Sequence, residues 1–458
     1  MTPTSSSLER FVALFILLMF IGIGTLFAWR VPAWQAPDEP AHYNYIAQVA
    51  TGDILPIIEM GDWDNAYLEQ LKAEDFAPSL LAELDTVQYE NHQPPLYYWL
   101  ATPIFLLTNG SLFAVRMVSV LMGAITVGLT FVIIREVLPA RTHLALASMV
   151  VVAFVPQNMH ILTSVNNDAL AGVMVAITLL LCVRRLKGQN DPLWWMGLAI
   201  GIIAITKTTA YFMVAIVGLT VFLRWLSTRK QIDMSSNLIM NYIQIAIPAA
   251  VFTVLYWGRN IATYGFPDFL GLQAHDEIVV GQQRRADLVA DIGMDAYWER
   301  AFSTTYHSFW GMFGWMEARL ADALPTVMLV ITGVLLIGGI GLLVNSILAL
   351  RGQSAQTDEN QSANTTWHMS LILITMILLA LAQFVYYNLT FVQFQGRYLF
   401  VAIIPFAAAV ALGLDTWRAM LFAKPSWLKW GVVGVCMLLA PLNVYLIWRV
   451  IPCAVGCL

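Results

Sequence analysis

Two adjacent carboxylates, Asp38 and Glu39, stand between prolines in "QAPDEPAHYNYIAQVATGDILP", residues 35–56, with His42 one helical turn further on. A carboxylate sheltered from water can take a proton from a hydroxyl as a general base. Carboxylates can instead share a divalent cation such as Mg or Mn through hard oxygen ligands, and Asp38 with Asp168 of "SVNNDALAG" is the candidate pair. Nearby Lys, Arg and His side chains would hold a phosphate leaving group, arginine in bidentate fashion. A plainer reading competes. Asp38 is a good N-cap for a helix over "EPAHYNYIAQVA", with Glu39 favourable in its first turn, and Asp168 is a good cap for a helix of its own.

The choice depends on the elements that position these residues. The chain has 458 residues, 59% of them hydrophobic and 12% charged, which excludes an ordinary soluble enzyme. Apolar runs of about 20 residues match the hydrocarbon core of a bilayer. They predict spans over 11–30, 112–136, 143–160, 164–183, 192–207, 209–226, 238–257, 323–349, 367–388, 398–417 and 428–449. The fold class is therefore an all-α polytopic membrane protein with about eleven transmembrane helices in one membrane domain, residues 1–458. The first run reads as a retained signal anchor. Two polar intervals, 31–111 and 258–322, are long loops carrying short surface helices.

Lys and Arg favour the cytoplasmic side. With the N-terminus inside, Arg135, Arg141, Arg184, Arg185, Lys187, Arg224, Arg229, Lys230, Arg351, Arg418, Lys424 and Lys429 all fall on cytoplasmic turns. The interval 31–93 holds twelve Asp or Glu against the single Lys72. Both long loops and the C-terminus are then extracytoplasmic. The run "PPLYYWLATPIFLL", 94–107, is short for a span, and counting it would invert every later helix, so it reads as a helix on the outer surface. The stretch 352–366 is a polar cytoplasmic loop.

This topology brings distant polar residues to one face. Beside Asp38, Glu39 and His42 come Glu90, His92 and Gln93 of "ENHQPP", Asn166, Asn167 and Asp168, Lys207 of "ITKTTAY", Arg259 of "GRN", and Arg397 with Tyr398 of "QFQGRYLF". A charge at the bilayer centre costs about 2.5–3.5 kcal/mol. At helix ends the cost is lower, so Lys207, Arg259 and Arg397 also fit the role of interfacial anchors. No P-loop or dinucleotide fingerprint is present, and no nucleic-acid partner is expected. The glycines of "GVLLIGGIGLL", 333–343, serve close helix packing. Cys182 and Cys436 lie in apolar runs as packing residues, and Cys453 and Cys457 form no metal motif.

"PDEPAHYNYIAQVATGDILP" resembles the first-loop motif of GT-C glycosyltransferases, among them the lipid A aminoarabinose transferases and the protein O-mannosyltransferases. "HQPPLYYWL" and "FAVRMVSVLMGAITVGLTFVIIREVL" are similar to the segments that follow it in that superfamily, and "NNDAL", "SFWGMFGW" and "QGRYLF" extend the likeness along the chain. The resemblance implies a catalytic base at Asp38 with Glu39 beside it, and a sugar donor carried on a polyprenyl phosphate. It also implies a phosphate contact from the residue before the proline, here His92 or Gln93, where the aminoarabinose transferases have Lys.

The expected function is transfer of a sugar, with inversion, from a polyprenyl-phosphate donor to a hydroxyl of a lipid, glycan or protein at the outer face of a bacterial inner membrane. Asp38 and Glu39 are the catalytic candidates. His92, Gln93, Lys207, Arg259, Arg397 and Tyr398 are candidates for the donor phosphate, and His42, Asn167 and Asp168 for orienting the acceptor or a metal. The alternatives are a lipid or solute transporter, an O-antigen ligase-like enzyme using a pyrophosphate donor, and an inactive relative that binds a lipid-linked glycan. A transporter would need polar residues near the midplane and interrupted helices in repeated positions.

Overall fold

A computed structural model describes residues 7–228, 238–316, 318–319, 333–334, 336–341, 344, 358–422 and 426–451. Among them, eight helices are long and apolar enough to cross a membrane, or nine if the bent pair Thr142–Phe154 and Pro156–Leu162 is one span. The expected span 323–349 lies largely outside the described residues, as do 352–357 of the expected loop and both Cys453 and Cys457; the rest of that loop, 358–366, is instead the start of the helix Asp358–Asn388.

The chain enters through α1 (Ser7–Arg30), and the first long loop follows with α2 (Glu39–Thr51), α3 (Asn65–Ala73) and α4 (Leu96–Leu107). Next come α5 (Leu112–Val137), α6 (Thr142–Phe154), α7 (Pro156–Leu162), α8 (Asp168–Leu186), α9 (Leu193–Ala204), α10 (Met213–Thr228) and α11 (Leu238–Tyr264). The second long loop carries α12 (Leu272–Ile278), α13 (Arg285–Ile292) and α14 (Met294–Trp310), and helices at Asp358–Asn388, Ile403–Leu421 and Lys429–Met437 lie beyond it. The fold is all-α, as the hydropathy pattern predicts.

Helix α6 is buried at every residue from His143 to Phe154, as befits a segment apolar on all sides. Its neighbours α1, α5 and Ile403–Leu421 wrap around it. Pro156 cannot continue the backbone hydrogen bonding of α6, and the axis bends there by 63°. Glycine allows the closest approach between helices. A side chain at Gly338 would fall on the Ala409 carbonyl, and one at Gly413 on that of Val334, so within the glycine-rich run it is Gly338 that serves close packing.

Two expected segments differ from a simple span. The 192–207 run forms a helix of only 12 residues, Leu193–Ala204, about 18 Å long and short of the hydrocarbon core. It stops because the backbone turns extended at Lys207 (φ −164°, ψ 133°), which sends the ammonium to Asn167 and Asp168. Helix α4 is likewise 12 residues long. It packs on α2 with Tyr97, Tyr98 and Ala101 buried, and the Leu96 amide donates to the Ile205 carbonyl at 3.0 Å.

The loops are joined by their own apolar cluster, in which Ala41, Ile58, Leu68, Leu71, Phe76, Leu84 and Tyr89 of the first loop meet Val279 of the second. Beneath it lies a buried ion pair. Arg116 of α5 donates through Nε to Glu39 Oε1 (2.8 Å) and through Nη2 to Oε2 (2.6 Å). Its remaining N–H groups reach the carbonyls of Ala28 and Val31 (3.0 and 2.7 Å, both from Nη1) and of Pro32 (3.0 Å, from Nη2). Glu39 also accepts from the backbone amides of Trp34 and Val165, both at 3.1 Å. One guanidinium thus ties the end of α1, the start of α2 and the turn before α8.

Removing one partner of such a pair strands a buried charge. Glu39→Leu or Arg116→Leu should each cost about 3–5 kcal/mol, read as a fall in the thermal unfolding midpoint in detergent. Glu69→Ala, which breaks the largely exposed Lys72–Glu69 pair, should stay within about 1 kcal/mol.

Candidate functional site

The helix after the acidic pair begins at Glu39, as expected, but Asp38 does not cap it. Asp38 sits in the left-handed region (φ 66°) and its side chain makes no capping bond. For a residue with a Cβ this conformation costs on the order of 1 kcal/mol. It turns the carboxylate away from the helix and into a cavity of about 720 Å³ between the two long loops and the bundle. There Tyr89 Oη donates to Asp38 Oδ1 at 2.8 Å, and Arg397 Nη2 donates to Oδ2. The Asp38 side chain remains 23% exposed, its arginine partner 5%. Burial alone would raise the carboxyl's pKa. The Arg397 guanidinium and the hydrogen bonds from Arg397 and Tyr89 outweigh that and hold it at about 2.

A second ion pair faces the same space. Lys207 Nζ lies 2.6 Å from Asp168 Oδ1 and donates to Asn167 Oδ1 at 2.7 Å. From there a polar chain crosses the cavity floor. Asn167 Nδ2 donates to Gln93 Oε1 (3.2 Å), Gln93 Nε2 to His92 Nε2 (3.3 Å), and His92 Nδ1 to the Tyr89 carbonyl (3.1 Å). Tyr89 then reaches Asp38 through its hydroxyl. Because a carbonyl only accepts, His92 carries its proton on Nδ1 and offers a lone pair at Nε2. Burial, and next the facing His275 ring at 4.3 Å, keep it neutral by lowering its pKa well below the usual range. His42 shares a hydrogen bond with the Tyr98 hydroxyl (2.8 Å) and is also neutral, lowered to about 3 by burial and then by Lys207.

The sequence-derived set therefore divides. Asp38, His42, His92, Gln93, Asp168, Lys207, Arg397 and Tyr398 line one cavity, and Asn167, fully buried, braces it from behind. Two candidates lie elsewhere. Glu39 is fully buried against Arg116 and is part of the architecture beneath the cavity. Arg259 Nη2 donates to the carbonyls of Leu55 (2.6 Å) and Pro56 (2.8 Å), so this guanidinium pins the first loop and is not among the cavity residues. As for a cation, Asp38 and Asp168 are each paired with a basic side chain. No group of three or more His, Cys, Asp or Glu converges as a metal site among the described residues.

Several participants carried no assigned role in the sequence. Arg116 announces itself only as a lone charge in "FAVRMV", and such a charge inside an apolar run requires a buried partner. Tyr89, His275 and Gln395 line the cavity with no signal beyond proximity to marked residues. Glu90, grouped with His92 in the sequence, proves to be a cavity residue as well. It is 9% exposed, and its Oε2 has no partner among the described residues. Burial, then the Asp38 charge, push its pKa up to about 8. Arg397 Nε and Nη1 and Gln395 Oε1 are also buried without partners there.

The Glu90 shift has a consequence for stability. A carboxyl raised from 4.5 to about 8 favours the folded state below pH 4.5, and that contribution is lost as pH rises through about 8. Glu90→Gln should therefore match wild type in thermal midpoint near pH 4 and exceed it increasingly up to pH 8.5. A difference that does not vary with pH would contradict this account.

The model of the dolichyl-phosphate-mannose-protein mannosyltransferase family matches residues 92–257. No curated protein sequence matches the chain. Among solved structures, the oligosaccharyltransferase of Archaeoglobus fulgidus, tethered to an acceptor peptide containing the NVT sequon, aligns with a TM-score of 0.53 at 14% identity. The alignment covers 97% of this chain and 55% of that one, so the chain spans about half the length of that enzyme. The same archaeal enzyme, AglB, in complex with an inhibitory peptide and a dolichol-phosphate, gives 0.46 at 13% identity over 96% and 56%. ArnT from Cupriavidus metallidurans, bound to undecaprenyl phosphate, gives 0.47 at 16% identity over 96% and 73%.

Proposed function

We propose, from the premise that this is a multi-pass membrane protein of the GT-C fold, that it transfers a sugar from a polyprenyl-phosphate donor to a hydroxyl acceptor. The acceptor's class (glycan, lipid or protein) is left to the assay. The observation that carries this reading is the cavity itself: a half-buried carboxylate, Asp38, stands beside an arginine with two unpartnered buried N–H groups. The family matched over 92–257 is named for a dolichyl-phosphate sugar donor, and ArnT is bound to undecaprenyl phosphate. By the distribution of Lys and Arg, the loops and cavity face away from the cytoplasm and the N-terminus lies within it; we take the membrane to be a bacterial inner membrane.

In this reaction the acceptor oxygen attacks the anomeric carbon as the bond to the phosphate oxygen breaks, with inversion. Asp38 takes the acceptor's proton, and the polyprenyl phosphate leaves as an anion. At a pKa of about 2, held down by Arg397, Asp38 is a weak base. Arg397 can offer Nη1 to the donor phosphate while Nη2 stays on Asp38. Sharing its charge with the phosphate weakens its hold on the carboxylate and raises Asp38's basicity when the donor is bound. Lys207, already tied to Asp168, adds a second positive charge to the cavity. His92 and His42 are neutral and contribute hydrogen bonds, not charge. Pairing of both Asp38 and Asp168 with basic side chains supports a reaction run on side chains alone, and no step is routed through a cation.

The test uses purified protein in nanodiscs, radiolabelled polyprenyl-phosphate sugars and a membrane extract as acceptor, with and without EDTA. Wild type should transfer or release label, unchanged by EDTA. Asp38→Asn should lose about a hundred- to ten-thousand-fold in rate while remaining folded at the assay temperature. Equal turnover by the mutant would remove Asp38 from the chemistry. Failure to turn over any donor would bring the transporter or binding reading forward.

A further inference from the structure

The unpartnered polar atoms around the cavity fall into two chemical kinds. Arg397 Nε and Nη1 are donors without acceptors, whereas Glu90 Oε2 and Gln395 Oε1 are oxygens without partners. All three residues line the same space. A buried polar atom left unpaired costs free energy, and in a ligand cavity it marks where a polar group of the ligand belongs. The two donors on a cation suit a phosphate. The two oxygens do not, because an oxygen that accepts needs a donor opposite it and an anion has no proton to give. They suit neutral hydroxyls, which donate to oxygen.

Building on the donor reading above, we propose that Glu90 and Gln395 form the subsite for the transferred sugar, with Glu90 Oε2 and Gln395 Oε1 bonded to its ring hydroxyls. Glu90 is well placed. It lies one residue after Tyr89, which holds Asp38, and two before His92, and the Gln93 amide fixes its backbone by donating to the Glu90 carbonyl at 2.9 Å. Gln395 lies two residues before Arg397, so the sugar and phosphate subsites alternate along one short segment. Burial and the Asp38 charge keep Glu90 protonated at neutral pH. In that form it both accepts and donates, which matches a hydroxyl and adds no repulsion towards the donor phosphate.

The sugar-free lipid separates the two subsites. Binding of undecaprenyl phosphate and of its mannosyl and glucosyl forms would be measured on the full chain in nanodiscs. Wild type should bind at least one glycosylated form more tightly than the bare phosphate. Glu90→Leu should weaken binding of that form about tenfold while leaving the bare phosphate within about twofold. Gln395→Leu should act in the same direction, and Glu90→Gln should recover most of the loss. Arg397→Leu should weaken all three ligands together. If either leucine variant weakens the bare phosphate equally, or if both bind like wild type, the subsite is overturned while the donor reading stands. If wild type gains nothing from either sugar, the subsite is likewise overturned. If wild type binds none of the three lipids, the donor reading itself falls and takes the subsite with it.

Discussion

The buried pair between Glu39 and Arg116 is the constraint on which the rest of the site depends. An arginine inside an apolar bundle is stable only if its charge and all five N–H groups are satisfied. Here two groups meet the Glu39 carboxylate and three meet backbone carbonyls at the end of α1. Glu39 in turn accepts the Val165 amide just before α8. Four segments are thereby fixed to one another. With Glu39 committed downward into the bundle, the residue before it enters the helix through a left-handed turn and faces the other way. The ion pair aims Asp38 by holding its neighbour.

The cavity above is electrically quiet. Asp38 is matched by Arg397 and Asp168 by Lys207, the three cavity histidines are neutral, and Glu90 holds its proton. A quiet site tolerates burial beneath the apolar cluster that joins the two loops, and an arriving anion must change the partnership of Arg397 to be bound. In the proposed reaction, donor binding and activation of Asp38 are then one event. The polar chain from Lys207 through Asn167, Gln93 and His92 to Tyr89 connects the two ion pairs, so neither can shift without disturbing the other.

Much of the fold was legible because hydropathy and bilayer thickness are a strong constraint. The lengths of α1, α5 and α8 follow from it directly. The 192–207 run folds as a shorter helix than its composition suggests, because composition does not reveal that Lys207 is drawn to Asn167 and Asp168, which ends the helix early. At the site, residue type and topology together indicated Asp38, His92, Lys207 and Arg397. They could not separate Asp38 from Glu39, since adjacency in sequence says nothing about opposite directions at a left-handed turn. Arg259 was grouped with the cavity residues for a related reason. A loop carbonyl and a phosphate look alike as partners for a guanidinium, and only the path of residues 55–56 distinguishes them.

The two residues that make the central contact, Asp38 and Arg397, are 359 positions apart. During synthesis Asp38 is made and delivered to its loop long before Arg397 exists. Until the late segment docks, the carboxylate has neither its counter-charge nor a closed cavity, and the nascent protein has no assembled centre with which to meet a donor. The cavity is thus completed only once Arg397 has been made, and a product truncated before it lacks the pair that holds Asp38.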